Sequence, residues 1–554
     1  MPKIIKNYWY LFCLFLFAVA TRLYNLNWGA PFYFHPDERN IASAITQLSF
    51  PTQMNPHFFA YGSFPLYIVY FVELLLTRAS HSQIDFSLTI ILLRFASVVL
   101  SLGILFFLYK IGEDIHGKAV GFIAATLGAT SIGFIQYSHF GTFEMWITFF
   151  TILLFFLCLR LIKHATLGSV ILVGCVLGIL FGIKVSNLFL APLPAVALFF
   201  HFFHIRKHTS FPKLIWRYAG GILVLFSSAL LSYIVTNPFA LLDTTSFLSS
   251  IQYESNVATG SLPVFYTGGF LHTIPILYQL FFVYPFILNP AVAALSLASF
   301  LFFAWICFTK KTPSYVMLLF TFFLLFLSQA FLFVKWIRYL IPTLPFIYLF
   351  TSIVVFDIAV SIKKRQMLFF LSAGGICIVT FFALSYFFTA YGSPNTSVSA
   401  SLWATHAMPR DARIISEVYD LGIVPFNQYF SNITLFNFYE LDNHSPVDTI
   451  QSLSQKLSQT DYIILPSQRI LRNRILDAHQ FPIGNRVYTH LFDGSLGFEK
   501  IYQTPCDVFC KISYRGDPIF ALEETATVFD RPTLFIFQNV SHITEQQFET
   551  VLQK

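Results

Sequence analysis

Apolar stretches of membrane length recur from the N-terminus to about residue 388, near 8–24, 86–109, 119–138, 143–162, 167–183, 187–204, 214–236, 290–309, 314–334, 339–360 and 367–388. A helix needs about 20 apolar residues to cross the hydrocarbon core. The recurrence therefore predicts a polytopic α-helical membrane protein with about eleven spans. Composition agrees, since 56% of the 554 residues are hydrophobic and 11% are charged, which argues against a water-soluble fold. Two further apolar strings, 64–78 and 271–288, read as interfacial or re-entrant helices.

Basic residues set the expected orientation. With Lys3 and Lys6 in the cytoplasm, every second connection is basic: Lys110/Lys118, Arg160/Lys163, Arg206/Lys207/Lys213, Lys310/Lys311 and Lys363/Lys364/Arg365. That pattern explains the net charge of +7 as membrane orientation, so no nucleic-acid partner is inferred. It predicts a multi-pass protein of the plasma (inner) membrane, with long loops at about 25–85 and 237–270 outside, and the tail beyond 390 outside as well. A competing reading of Lys3, Lys6 and Ala18-Val19-Ala20 is a cleaved signal peptide.

Two domains are expected, a transmembrane one over 1–389 and an extracytoplasmic α/β domain over 390–554. In the tail, ARIISEVY, TDYIILPS, GFEKIYQT and PTLFIFQN read as buried strands between helical or loop segments. Cys506 and Cys510 are the cysteines placed to form a disulfide, which would imply an oxidising compartment. Asn395, Asn432 and Asn539 match glycosylation acceptor patterns, a weak signal in a polar tail.

The string Phe34-His35-Pro36-Asp37-Glu38-Arg39 sets two adjacent carboxylates just beyond the first span. A half-desolvated carboxylate gains basicity and suits proton abstraction. Equally, Pro36 followed by Asp37 and Glu38 suits the first turn of a helix. Glu144 stands at the mouth of an apolar helix, as a functional acid or as an interfacial, solvated one. Lys184, Lys335 and Arg338 fall on the outer side against the charge rule, where they could hold a lipid phosphate or snorkel to headgroups. His35 and His139 could orient a carboxylate or bond a sugar. A divalent cation is conceivable as cofactor, but these residues supply no convergent ligand set, and no metal residues are assigned. Neither a phosphate-cradling GxxxxGK[ST] string nor a dinucleotide fingerprint occurs, which argues against a nucleotide-driven pump.

The order of these features resembles the GT-C superfamily of integral-membrane glycosyltransferases, specifically the protein O-mannosyltransferase and aminoarabinose-transferase relatives. The resemblance covers about residues 1–390. It rests on the HPDE string, the FPLY helix, Arg94 in LRFASVVLSLG, the acid after the third span, Gly182-Ile183-Lys184, and Arg338-Tyr339 followed by Pro342 and Pro345. It implies Asp37 as catalytic base with Glu38 beside it, and Glu144 as the second-loop acid where many relatives have Asp. Asn55-Pro56 stands where some relatives carry a Lys-Pro pair at the donor phosphate, which shifts that contact to Lys184, Arg338 and Lys335, with His35, His139 and Tyr339 as further substrate contacts. The implied reaction takes a sugar from a polyprenyl-phosphate donor to a protein, lipid or glycan acceptor by one inverting displacement. Two other classes share the composition: a transporter or flippase of lipid-linked sugars, and a non-catalytic assembly or sensor protein.

Overall fold

The computed structural model describes residues 3–205, 210–262, 264–362, 364–417, 429–513 and 525–553. Arg206, Lys207 and Lys363 of the basic connections, and Val418 and Tyr419 of the first expected strand, lie outside the described residues. The chain forms two compact units. One comprises Met1–Leu26, Asp37–Leu262 and Ile274–Leu384; the other comprises Asn27–Pro36, Pro263–Thr273 and Ser385–Lys554.

The first unit is helical. Among the described residues, eight helices are long and apolar enough to cross a membrane: Phe86–His116, Glu144–Lys163, Val185–Phe203, Pro212–Thr236, Pro290–Lys310, Pro313–Ala330, Ile337–Ser361 and Gln366–Ala390. A bent pair, Lys118–Ala129 and Ile132–Ser138, meets at 57°, and shorter apolar helices cover Trp9–Leu23 and Leu167–Ile183. These helices coincide with the eleven apolar stretches of the sequence, but eight of them, or nine with the bent pair, are long and apolar enough to cross a membrane. At the bend, backbone carbonyls lose their helical partners, and a fully buried cation replaces them. Arg22 donates to the Gly128 carbonyl at 3.1 Å, to that of Ala129 at 3.2 Å and to Ser101 Oγ at 2.9 Å.

Helix Leu167–Ile183 lies against helix Phe211–Thr236 along Gly174, Gly178 and Gly182, a small-residue stripe that permits close backbone approach. A Cβ at Gly178 would sit 2.2 Å from the Ala229 carbonyl oxygen, which is backbone and cannot yield. Gly178→Leu should therefore force the two helices apart at a cost of about 1–3 kcal/mol or more. Loss of the monodisperse peak in detergent is the expected result; a variant eluting and melting like wild type would contradict it.

The second unit is an α/β fold around one five-stranded sheet: β1 (Arg413–Glu417), β2 (Asn432–Phe436), β3 (Tyr462–Leu465), β4 (Phe498–Gln503) and β5 (Phe535–Asn539). The order is β2-β1-β3-β5-β4, with β1 parallel to β2 and β3, and β5 antiparallel to β3 and β4. Alternation serves two cores. Ile414, Ile464 and Ile536 meet helix Thr396–Ala407, whereas Ile415, Ile463, Phe535 and Phe537 meet helices that include Pro446–Ser458 and Glu545–Gln553. Four strands coincide with the strings that the sequence marks. Cys506 and Cys510 are bridged, with Cα atoms 5.3 Å apart. Asn539 is buried, and its amide donates to the Thr460 carbonyl while accepting from the His542 amide.

Candidate functional site

Helix Pro36–Thr46 begins with proline and two acids, so Asp37 and Glu38 both lie in its first turn. Neighbours on a helix point about 100° apart, which sends the two carboxylates to different surroundings. Glu38 is fully buried and paired with the equally buried Arg94, at 2.6 Å and 3.0 Å, and it also accepts from the Gly141 amide at 2.5 Å. Arg94 donates in addition to the Leu26 carbonyl at 2.9 Å. His139 is buried nearby, its ring nitrogens 2.8 Å from the Ile135 carbonyl and 3.0 Å from that of Tyr24. These contacts tie together the start of helix Pro36–Thr46, helix Phe86–His116 and the turn before Glu144. Glu38 and His139, read from sequence as catalytic and substrate-binding, are held in this buried network; like Asp37, they do not line the cavity described next.

Asp37 takes the other direction. Its Oδ2 lies 2.7 Å from Arg338 Nη1, and both side chains stay partly exposed, at 30% and 24%. Arg338 lies over the Trp336 ring at 4.3 Å and has Tyr61 Oη at 3.5 Å. Arg338 lines a cavity of about 420 Å³ together with Tyr61, Glu144, Lys184, Glu254 and Tyr339. Lys184 Nζ is held between two aromatic rings, 5.3 Å from Tyr61 and 5.0 Å from Tyr339. Burial raises the Tyr61 phenol well above its ordinary range, so it stays protonated and able to donate.

Backbone geometry fixes this pair. Lys184 caps helix Leu167–Ile183, its amide donating to the Leu180 carbonyl at 3.1 Å, and the Gly62 amide donates to the Ile183 carbonyl at 2.9 Å. A Cβ at Gly62 would fall 2.1 Å from the Gly182 oxygen, so only glycine allows the segment bearing Tyr61 to approach so closely. Asn237 Oδ1 accepts from the Ser63 amide at 2.5 Å and completes the clamp.

Glu144 opens helix Glu144–Lys163, where the helix dipole favours an anion. It is 3% exposed, and its Oε2 has no hydrogen-bond partner among the described residues, an acceptor buried at the cavity wall. Glu254 enters from helix Thr244–Thr259. Although the side chain keeps solvent contact, desolvation among these walls raises its carboxyl above the usual range, against the pull of Lys184 and Arg338.

The remaining expected residues fall elsewhere. Lys335 is buried and donates to the Phe333 carbonyl at 2.9 Å, outside the cavity lining. His35 belongs to the second unit, its ring centroid 4.6 Å from that of Phe529. Asn55 donates to Asp243 at 2.9 Å. Tyr61 and Glu254 were not singled out from sequence; Glu254 carries a faint signal, as an acid in a long loop without Lys or Arg. Among the described residues, no three His, Cys, Asp or Glu side chains converge as metal ligands.

Residues 81–233 match the family described as dolichyl-phosphate-mannose-protein mannosyltransferase. No curated protein matches the chain by sequence. The structure is similar to that of the Archaeoglobus fulgidus oligosaccharyltransferase in the apo form, at 13% identity and a TM-score of 0.52, over 97% of this chain and 89% of that one. It is similar to the oligosaccharyltransferase AglB of the same archaeon in complex with an inhibitory peptide and a dolichol-phosphate, at 14% identity and 0.53, with the same coverage. It is also similar to ArnT from Cupriavidus metallidurans bound to undecaprenyl phosphate, at 10% identity and 0.50, over 96% of this chain and 98% of that one. At such identities the likeness establishes fold.

Proposed function

We propose that this chain, whose fold is similar to those of the Archaeoglobus fulgidus oligosaccharyltransferase and of ArnT, is a GT-C integral-membrane glycosyltransferase that moves a sugar, mannose or another hexose or pentose, from a polyprenyl-phosphate donor to a protein, lipid or glycan acceptor outside the cytoplasm. The observation that carries this reading is the Asp37–Arg338 pair beside a cavity that also holds Lys184. A base paired to one of two cations that line the recess supplies the groups that such a displacement needs. The lipid phosphates bound by AglB and ArnT support a lipid-linked donor.

In the proposed reaction the acceptor hydroxyl oxygen attacks the anomeric carbon while its proton passes to Asp37. The bond from that carbon to the phosphate oxygen breaks on the opposite side, and the electron pair leaves with the lipid phosphate. Arg338 and Lys184 stabilise that developing charge, and a preorganised donor in such a role is worth a few kcal/mol (roughly 3). Arg338 has donors enough to keep its bond to Asp37 while turning others to phosphate. Glu144 accepts from a hydroxyl of the sugar or acceptor, filling the vacancy at its Oε2. The test is transfer of label from a panel of polyprenyl-phosphate hexoses and pentoses by the reconstituted protein. Label that crosses the bilayer without covalent transfer would replace the transferase by a flippase, and neither event would favour an assembly or sensor protein.

The reading requires the Asp37 face and the C-terminal unit to be extracytoplasmic in the plasma (inner) membrane, with the N-terminus inside. The Cys506–Cys510 bridge supports that orientation, since disulfides persist in oxidising compartments. Alkaline phosphatase fused after residue 554 should be active, and the same reporter in the Lys310/Lys311 connection inactive. The reverse pattern would overturn the orientation.

A further inference from the structure

A second cleft, of about 330 Å³, opens between helices Leu167–Ile183, Pro192–Ile205 and Phe211–Thr236, and it shares no lining residue with the cavity that Lys184 and Arg338 line. Val170, Leu198, Phe202 and Val224 give it an apolar wall, and Thr166, His201 and Arg217 supply its polar lining. Gly220 and Gly221 form one side. Unlike Gly178, they are not required by close packing: a Cβ at Gly220 meets nothing within 4 Å, and one at Gly221 first meets Leu198 Cδ1 at 3.7 Å. The missing side chains leave a slot open where a larger residue would fit.

Charge and position indicate what fills the slot. Lys213, Trp216 and Arg217 occupy the first two turns of a membrane-length helix, and Trp216 is 76% exposed. Tryptophan beside basic residues at a helix end marks the headgroup level of a bilayer. Lys213 and Arg217 are exposed and have no ion-pair partner among the described residues. A basic mouth at headgroup depth, leading into an apolar slot, matches an anionic group joined to a hydrocarbon chain.

We propose that this cleft binds an anionic phospholipid, its phosphate on Arg217 with Lys213 as second cation and one acyl chain along Gly220 and Gly221. The site stands independently of the transferase reading.

The test is lipid binding by native mass spectrometry and thermal shift on the full-length protein in neutral detergent, titrated with phosphatidylglycerol and, separately, phosphatidylcholine. Wild type should bind phosphatidylglycerol roughly tenfold more tightly than phosphatidylcholine, the scale of one hydrogen-bonded charge contact. Arg217→Gln should remove that preference. Gly221→Leu should fill the slot and weaken both lipids while leaving the melting midpoint in detergent alone unchanged, which separates occupancy from misfolding. Equal phosphatidylglycerol binding by wild type and both variants would mean a non-specific lipid annulus and would overturn the site. Undecaprenyl phosphate displacing phosphatidylglycerol from wild type but not from Gly221→Leu would overturn the choice of occupant.

Discussion

Asp37→Asn should leave the protein folded and lower transfer from labelled polyprenyl-phosphate sugar by roughly 10²- to 10⁴-fold, the range over which positioned general bases contribute. The amide has the size of the carboxylate and still accepts a hydrogen bond from Arg338, but it cannot take up the acceptor's proton. The pair it replaces is partly exposed on both sides, and such pairs contribute little stability, about 0–1 kcal/mol. Binding of undecaprenyl phosphate should survive, because Lys184 and Arg338 are untouched. The decisive comparison is therefore turnover against lipid-phosphate affinity in the same purified sample. Transfer undiminished in the variant would sink the base assignment.

One residue further along, the expectation is opposite in kind. Glu38→Ala should prevent accumulation of folded protein, because it strands the fully buried Arg94 guanidinium without its carboxylate. Removing one partner of a buried pair costs about 3–5 kcal/mol, against a typical net stability of about 5–15 kcal/mol. The measurement is the melting midpoint and the yield of monodisperse protein in detergent. Replacing both partners together, as Glu38→Leu with Arg94→Met, should recover much of the loss, since an apolar pair of similar volume carries no stranded charge. A Glu38→Ala protein as stable as wild type but inactive would place Glu38 in the chemistry instead.

The contrast shows what the sequence could and could not convey. The spans were legible because membrane crossing imposes a length and a composition on each segment separately, and β1, β3 and β5 were legible because burial on both faces leaves short apolar runs. The strand β2 escaped because its edge position leaves Asn432 and Leu435 exposed, so no buried alternation marks it. The family resemblance singled out Asp37, but by residue type alone Asp37 and Glu38 were alike, since nothing local tells which of two adjacent acids meets residue 94 and which meets residue 338. Lys184 and Lys335 were equivalent for the same reason. Their fates separate only when Gly62 and Gly182 bring Tyr61 over the first, while the second folds back on its own chain.

The aromatic clasp on Lys184 also changes when an entropic cost falls due. A lysine side chain carries up to about 1.5–2 kcal/mol of rotational freedom that must be surrendered wherever its ammonium is held in one place. With Tyr61 and Tyr339 on either side, that surrender accompanies folding and recurs with no catalytic cycle. An incoming anion would find the ammonium already waiting, so each successive donor could dock without first immobilising this side chain.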